Sequence, residues 1–251
     1  MSTALSHANR AKSYDVGRLA YPDAFFDYFD ELINTRGDRT IADIGAGTGK
    51  VTEQFLKKGY KIFAVEPDGD MMKILKNKTK NYTNCVLYNT VAEETRIPDN
   101  AVDMIFCGNS YHWFDREKSV PEFIRILKNP GDIVNVVVAT LGAGTAPVRD
   151  ELYGQIESFH KYNTNITANH ENPFRAGTFT QKSFAFTVCE TFEQYLHGAL
   201  SASYGPSPAD GCYDEYRALI KKYFDRHSRD GLYEANFVLS CSAGNVYDLV
   251  K

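Results

Sequence analysis

Up to residue 141 the spacing of apolar positions switches repeatedly between the period of a helix and that of a strand. In PDAFFDYFDELI, 22–33, Phe25, Phe29, Leu32 and Ile33 recur at i, i+4, i+7 and i+8 behind Pro22, a favoured first helical residue. That spacing predicts a helix with one apolar face. The short apolar runs TIADIG, YKIFAVE, CVLYNT, VDMIFCGN and DIVNVVVAT read as strands. Between them GKVTEQFLKKG, GDMMKILKNK and REKSVPEFIRILKN read as helices, the first ended by Gly59 and the last carrying Pro121, a potential kink. Strands alternating with helices predict βαβ units and a parallel sheet covered on both faces.

Beyond residue 141 the pattern changes. APVRDELYGQIESFHKY and YDEYRALIKKYFDRH read as helices, and 163–182 is polar and irregular. SFAFTVCETF and GLYEANFVLSCSA alternate apolar and polar residues, as strands do. These two late strands bring the expected total to seven and suggest a closing, partly antiparallel edge. The expected fold is therefore α/β: a doubly wound, mostly parallel seven-stranded sheet of Rossmann-like type with an inserted helical cap. With no linker or repeat, residues 1–251 are read as one domain. Its parts are N-terminal lid helices over about 1–37, a cofactor-binding core over 38–141, and cap or substrate segments over about 142–180 and 191–230.

The first strand runs into IADIGAGTGK, where Gly45, Gly47 and Gly49 stand at alternate positions before a helix. Glycine lets a backbone turn sharply and approach a ligand without a Cβ in the way, and such strand-to-helix turns bind nucleotide-like ligands in open α/β sheets. The spacing is GxGxG rather than the GxGxxG of dinucleotide sites, and GTGKVT does not supply a phosphate-binding Walker loop. The second strand ends FAVEPDGDMM, placing Glu66 about twenty residues past the first glycine, where a carboxylate can accept hydrogen bonds from ribose hydroxyls and would repel a 2′-phosphate.

Net charge is −4, so the electrostatic term that dominates nucleic-acid binding is missing overall, and the basic run KILKNKTKN reads as a solvated helix face. Five cysteines form no CxxC pair and read as reduced thiols, which with the lack of an apolar leader suggests a cytoplasmic protein. No run is long enough to span a bilayer.

IADIGAGTGKVT, AVEPDGDM, VAEETRIPDNAVDMI and GNSYHWFD, in that order, resemble the successive motifs of class I adenosylmethionine-dependent methyltransferases. RILKNPGD and the lead-in YDVGRLAYP resemble the branch of small-molecule methyltransferases of trans-aconitate type, also called methyltransferase type 11. The likeness covers residues 14 to about 140. It implies S-adenosyl-L-methionine as cofactor, with Gly45, Ala46 and Gly47 against its methionine and ribose and Asp43 either bracing the turn or meeting the amino group through water. It implies Glu66 on the ribose, Pro67 and Met71 flanking the adenine, and Val91, Ala92 and Glu93 at the adenine edge. Asn109 would meet the methionine amino group through its carbonyl, and Tyr14 and Arg18, one helical turn apart, would close over the cofactor.

SYHWFD follows the fourth strand, where the resemblance puts the reacting methyl. His112 is thus the candidate proton acceptor, since imidazole takes protons near neutral pH. Tyr21, Trp113 and Tyr204 are the candidate substrate contacts, and no metal ligands are expected. More than half of the sixteen tyrosines lie after residue 150, which suits a mid-sized organic acceptor. The expected activity is methyl transfer to an oxygen or nitrogen of a small organic molecule. A tRNA or nucleic-acid methyltransferase, a non-catalytic adenosylmethionine-binding protein and, third, an NAD-dependent dehydrogenase are the alternatives, and oligomeric state stays open.

Overall fold

A computed structural model of the chain describes residues 4–33, 39–143, 172–201, 206 and 208–250. In chain order the elements are α1 (Ala4–Gly17), α2 (Asp23–Ile33), β1 (Thr40–Ile44), α3 (Lys50–Lys57), β2 (Lys61–Val65), α4 (Gly69–Thr79), β3 (Cys85–Tyr88) and β4 (Met104–Gly108). A short 3-10 helix, Tyr111–Trp113, leads to α5 (Arg116–Ile126), β5 (Val136–Ala143), β6 (Phe179–Glu190), α6 (Phe192–Leu200), α7 (Tyr213–His227) and β7 (Tyr233–Gly244). The helix expected within 142–180 falls largely on 144–171, outside the described residues.

The elements gather into two units. One comprises Met1–Leu19, Gly142–Thr167 and Ala185–Val238; the other comprises Ala20–Leu141, Ala168–Phe184 and Leu239–Lys251. The second holds part of every strand of a seven-stranded sheet in the order β3-β2-β1-β4-β5-β7-β6. The β1/β2, β1/β4, β2/β3 and β4/β5 ladders are parallel. Parallel pairing stops there. Asn135, at the start of β5, donates its N–H to Gly244 O at the end of β7 (3.0 Å), so these strands run in opposite directions. On β6, Thr180 meets Ala243 and Thr187 meets Asn236, so one strand advances as the other retreats. The sheet is thus mixed rather than parallel throughout: β7 alone runs against the others, and β6, antiparallel to β7, points the same way as β5.

Residue alternation divides the core of this unit. Phe106 packs with Phe25, Phe29 and Phe55 from α2 and α3, the Phe29 and Phe55 rings lying 4.8 Å apart. Ala42, Ile44, Ile105 and Cys107 point the other way and pack with Phe123 and Ile126 of α5. The two faces explain why β4 reads as an unbroken apolar run. β1 has β2 on one side and β4 on the other, so the chain reverses its direction of travel across the sheet here. In open α/β sheets the crevice at the strands' carboxyl ends at such a point is where ligands bind.

The first unit joins α1 to α6 by close backbone contact. A Cβ built on Gly17 would lie 2.1 Å from Gly198 N, and Ser13 Oγ bonds His197 Nδ1 at 3.0 Å. Thr191 caps α6 through a reciprocal capping box with Gln194. All five cysteines are free thiols.

Candidate functional site

The site grows from the end of β1. Gly45 and Ala46 both donate their N–H to Val65 O, at 2.8 and 3.0 Å, turning the chain toward the end of β2. Gly45, Gly47 and Gly49 all have positive φ (75°, 58° and 80°), which accounts for glycine at alternate positions. Two of them also lack room for a side chain. A Cβ on Gly45 would stand 2.4 Å from Ser110 Cβ, and one on Gly49 would stand 2.4 Å from Leu75 Cδ1.

Glu66 closes this turn from β2. Its Oε2 accepts from Gly47 N at 2.7 Å and its Oε1 from Asp68 N at 2.8 Å. Burial raises its pKa, against the lowering effect of those two N–H donors, while Asp68 raises it further. Each carboxylate oxygen keeps a lone pair for a further donor. Asn89 steadies the same strand end, donating to Glu66 O at 2.7 Å. Asp68 in turn caps α4, accepting from Asp70 N and Met71 N.

Asp43 lies beneath the turn, 2% exposed, and accepts from Thr52 Oγ1 of α3 at 2.5 Å. Burial pushes its carboxyl up to about 7; the Thr52 hydroxyl opposes this and the nearby Glu66 charge adds to it. Asp43 thus ties the end of β1 to α3. Thr48 is 1% exposed, and its hydroxyl has no hydrogen-bond partner among the described residues.

The third wall comes from β4. Asn109 takes a left-handed φ of 53°, which asparagine tolerates better than most residues. Its Oδ1 accepts from Leu141 N at 3.0 Å and its Nδ2 donates to Tyr21 Oη at 3.2 Å. Ser110 Oγ donates to Ile44 O at 2.6 Å, fastening this loop to β1. Tyr21 is 5% exposed, so it meets Asn109 from within the core.

The remaining candidates spread outward. Pro67 and Val91 are exposed, Met71 and Glu93 half-buried and Ala92 buried. Glu93 Oε1 accepts from Asp115 N at 2.7 Å, joining the loop after β3 to the turn after the 3-10 helix. On that helix His112 and Trp113 are both exposed, their rings 5.0 Å apart. Tyr14 and Arg18 belong to the other unit, where the Arg18 guanidinium lies 4.8 Å from the Tyr14 ring centre, as their one-turn spacing predicts. Tyr204 lies outside the described residues. Sequence reasoning passed over Thr52, Asn89 and Ser110, whose hydrogen bonds hold the site together. Only their positions just after a motif strand or inside a motif helix mark them.

Residues 42–135 match the protein family described as a methyltransferase domain. An uncharacterized methyltransferase of Mycobacterium tuberculosis (strain ATCC 25618 / H37Rv) is 31% identical over 152 residues, covering 61% of this chain and 56% of the relative. An uncharacterized methyltransferase of Schizosaccharomyces pombe is 31% identical over 121 residues, covering 48% and 47%. The chain thus spans about half the length of these relatives. Among solved structures, a putative type II methyltransferase from Anaeromyxobacter dehalogenans superposes with a TM-score of 0.63 at 16% identity, covering 91% of this chain and 98% of that one. That likeness is one of fold. Residues 42–135 thus carry a methyltransferase domain, the kind of domain that the sequence motifs resemble.

Proposed function

We propose that the protein is a cytoplasmic methyltransferase that uses S-adenosyl-L-methionine to methylate an oxygen or nitrogen of a small organic molecule. The observation that carries this reading is the Glu66–Gly47 hydrogen bond, 2.7 Å. One carboxylate both holds the glycine turn and stands at the end of β2 with acceptor capacity left. The donor set fits an uncharged ribose and an amino-acid moiety: glycine backbone at Gly45–Gly47 and a carboxylate at Glu66.

When bound, the cofactor supplies a methyl group on a cationic sulfur. Glu66 accepts the ribose hydroxyls, the backbone of Gly45–Gly47 faces the methionine and ribose, and Ala92 and Met71 border the adenine. Asn109 offers its carbonyl to the amino group. His112, exposed on the 3-10 helix, takes a proton from an acceptor hydroxyl or ammonium in this reading. Aligning the acceptor is itself worth about 7–11 kcal/mol in favourable cases, so a dedicated base is an aid rather than a requirement. Tyr21 acts from the core by holding Asn109, while Trp113 and residues 191–230 are assigned to acceptor selection. A net charge of −4 favours a small molecule over nucleic acid. No described helix is long and apolar enough to cross a membrane.

Calorimetry tests the cofactor: S-adenosylhomocysteine binds and NADH does not. The reverse result would overturn the assignment. Transfer of radiolabelled methyl from the cofactor into small-molecule extracts, and not into RNA, tests the acceptor class. Binding without transfer to any fraction would make the chain a cofactor-binding protein instead.

A further inference from the structure

The unit that holds α1, α6 and α7 contains an acid that the reading above does not use. Along the second half of β6, Ala185, Thr187 and Cys189 are exposed, Phe186 and Val188 half-buried, and Glu190 is 6% exposed. Glu190 makes no hydrogen bond or ion pair among the described residues. The contact of Thr187 with Asn236 sets the pairing of β6 with β7, and extending it two residues outward and one more puts Glu190 opposite Tyr233. The Tyr233 ring lies 4.9 Å from that of Tyr195, which in turn lies 5.8 Å from Phe224. Tyr233 and Phe224 belong to one buried apolar cluster, with Tyr195 packed against it.

The Glu190 oxygens are not among the fully enclosed unpartnered atoms, so they keep some contact with solvent, but a carboxylate largely withdrawn from water with no protein partner is still costly. Only a proton or a cation relieves that cost. The surroundings choose which cation. Aromatic faces attract ammonium groups by their quadrupole, and most strongly where water is excluded. No group of three or more His, Cys, Asp or Glu side chains among the described residues is arranged to hold a metal ion.

We propose that Glu190, with the rings of Tyr195 and Tyr233, is a recognition site for a small organic cation, an amine or alkylammonium group. The carboxylate pairs with the charge, and the rings meet the carbon atoms around it. Burial pushes the Glu190 carboxyl up to about 7, so protons compete with the ligand near neutrality. The groups within electrostatic reach of Tyr195 besides Glu190 are Tyr216 and Tyr223 on α7 and Tyr233 on β7, all phenols. Nearby, Arg217 and Lys221 of α7 lie over the Phe192 ring, and Arg217 pairs with Glu193 of α6. Binding therefore strengthens as Glu190 ionises.

The test uses choline as the probe, its neutral isostere 3,3-dimethylbutan-1-ol as the control, and calorimetry on the full chain without cofactor. Choline is expected to bind saturably at pH 8 and about tenfold more weakly at pH 6, the ratio of ionised Glu190 at the two values. The isostere should not bind saturably. Glu190→Gln should weaken choline by tenfold or more while keeping the wild-type circular dichroism, since it removes a buried charge without changing shape. No saturable choline binding up to about 50 mM, equal binding of the isostere, or equal binding by Glu190→Gln would each overturn the proposal. S-adenosylhomocysteine binding, measured separately, does not depend on the outcome, so failure here and failure of the methyltransferase reading are distinct.

Discussion

Replacing Asp43 by Asn should make the protein more stable at alkaline pH, although Asp43 sits at the heart of the candidate cofactor site. Its carboxyl is 2% exposed, its pKa is raised by burial to about 7, and the Glu66 charge adds to the shift. Unfolded, the same group titrates near 3.8. A raised acid favours the folded state fully below 3.8 and loses that advantage as pH rises through about 7. Folding at pH 8 thus carries a penalty of about 4 kcal/mol for ionised Asp43 that an asparagine does not carry. At pH 5 the folded carboxyl is already protonated, and the penalty that remains is about 1–2 kcal/mol. Asparagine keeps an oxygen that can accept from the Thr52 hydroxyl, so the packing is retained. The gain of Asp43→Asn over wild type should therefore be about 2–3 kcal/mol larger at pH 8 than at pH 5. Urea unfolding at both pH values measures it, followed by the single tryptophan, Trp113, which lies in the same unit. A difference between the two pH values within about 0.5 kcal/mol of zero, or of opposite sign, would refute the reasoning.

Glu66→Gln keeps an acceptor for Gly47 N–H or Asp68 N–H, whereas Glu66→Ala leaves both without one; calorimetry with S-adenosylhomocysteine should show a loss of about tenfold for Gln and about a hundredfold or more for Ala. Glu122→Ala strips acceptors from the N–H and hydroxyl of fully buried Thr95 and a partner from Arg125; a loss of about 2–4 kcal/mol is expected in urea unfolding, with cofactor affinity changed less than threefold. His112→Gln should lower turnover of a true acceptor by about 10²–10⁴ with S-adenosylhomocysteine affinity unchanged, because the ring is exposed and lies beside that of Trp113; a lost thermal shift with S-adenosylhomocysteine would place His112 in cofactor binding instead.

Local pattern reached a long way into this fold. Pro22 and the spacing of Phe25, Phe29 and Ile33 marked a helix that the structure places over Asp23–Ile33, and YDEYRALIKKYFDRH is the helix Tyr213–His227. The alternate glycines and Glu66 were legible because one turn and one strand end carry them. What escaped is non-local. Tyr21 and Asn109 meet across 88 positions of sequence, and Ser110 reaches Ile44 across 66, so no short-range periodicity announces either bond. The place of β7 between β5 and β6 escaped for the same reason: an alternating strand pattern states which residues face inward, not which neighbour the strand pairs with. Tyr21, expected at a substrate, turned out to belong to the core, since a tyrosine's apolar ring and polar tip suit either place.

The backbone contact between Gly17 and Gly198 has a consequence for how the N-terminal helix can change over time. Each of α1 and α6 has a single glycine, and the two meet where a Cβ would find 2.1 Å. Four residues earlier, Ser13 reaches His197. The two contacts are set by the length of chain between them, so they act as a ruler. Exchanging the residues in between leaves the ruler intact. Inserting or deleting even one rotates Ser13 about 100° around the helix and separates the contacts. The stretch from Ser13 to Gly17 should thus drift in composition while holding its length.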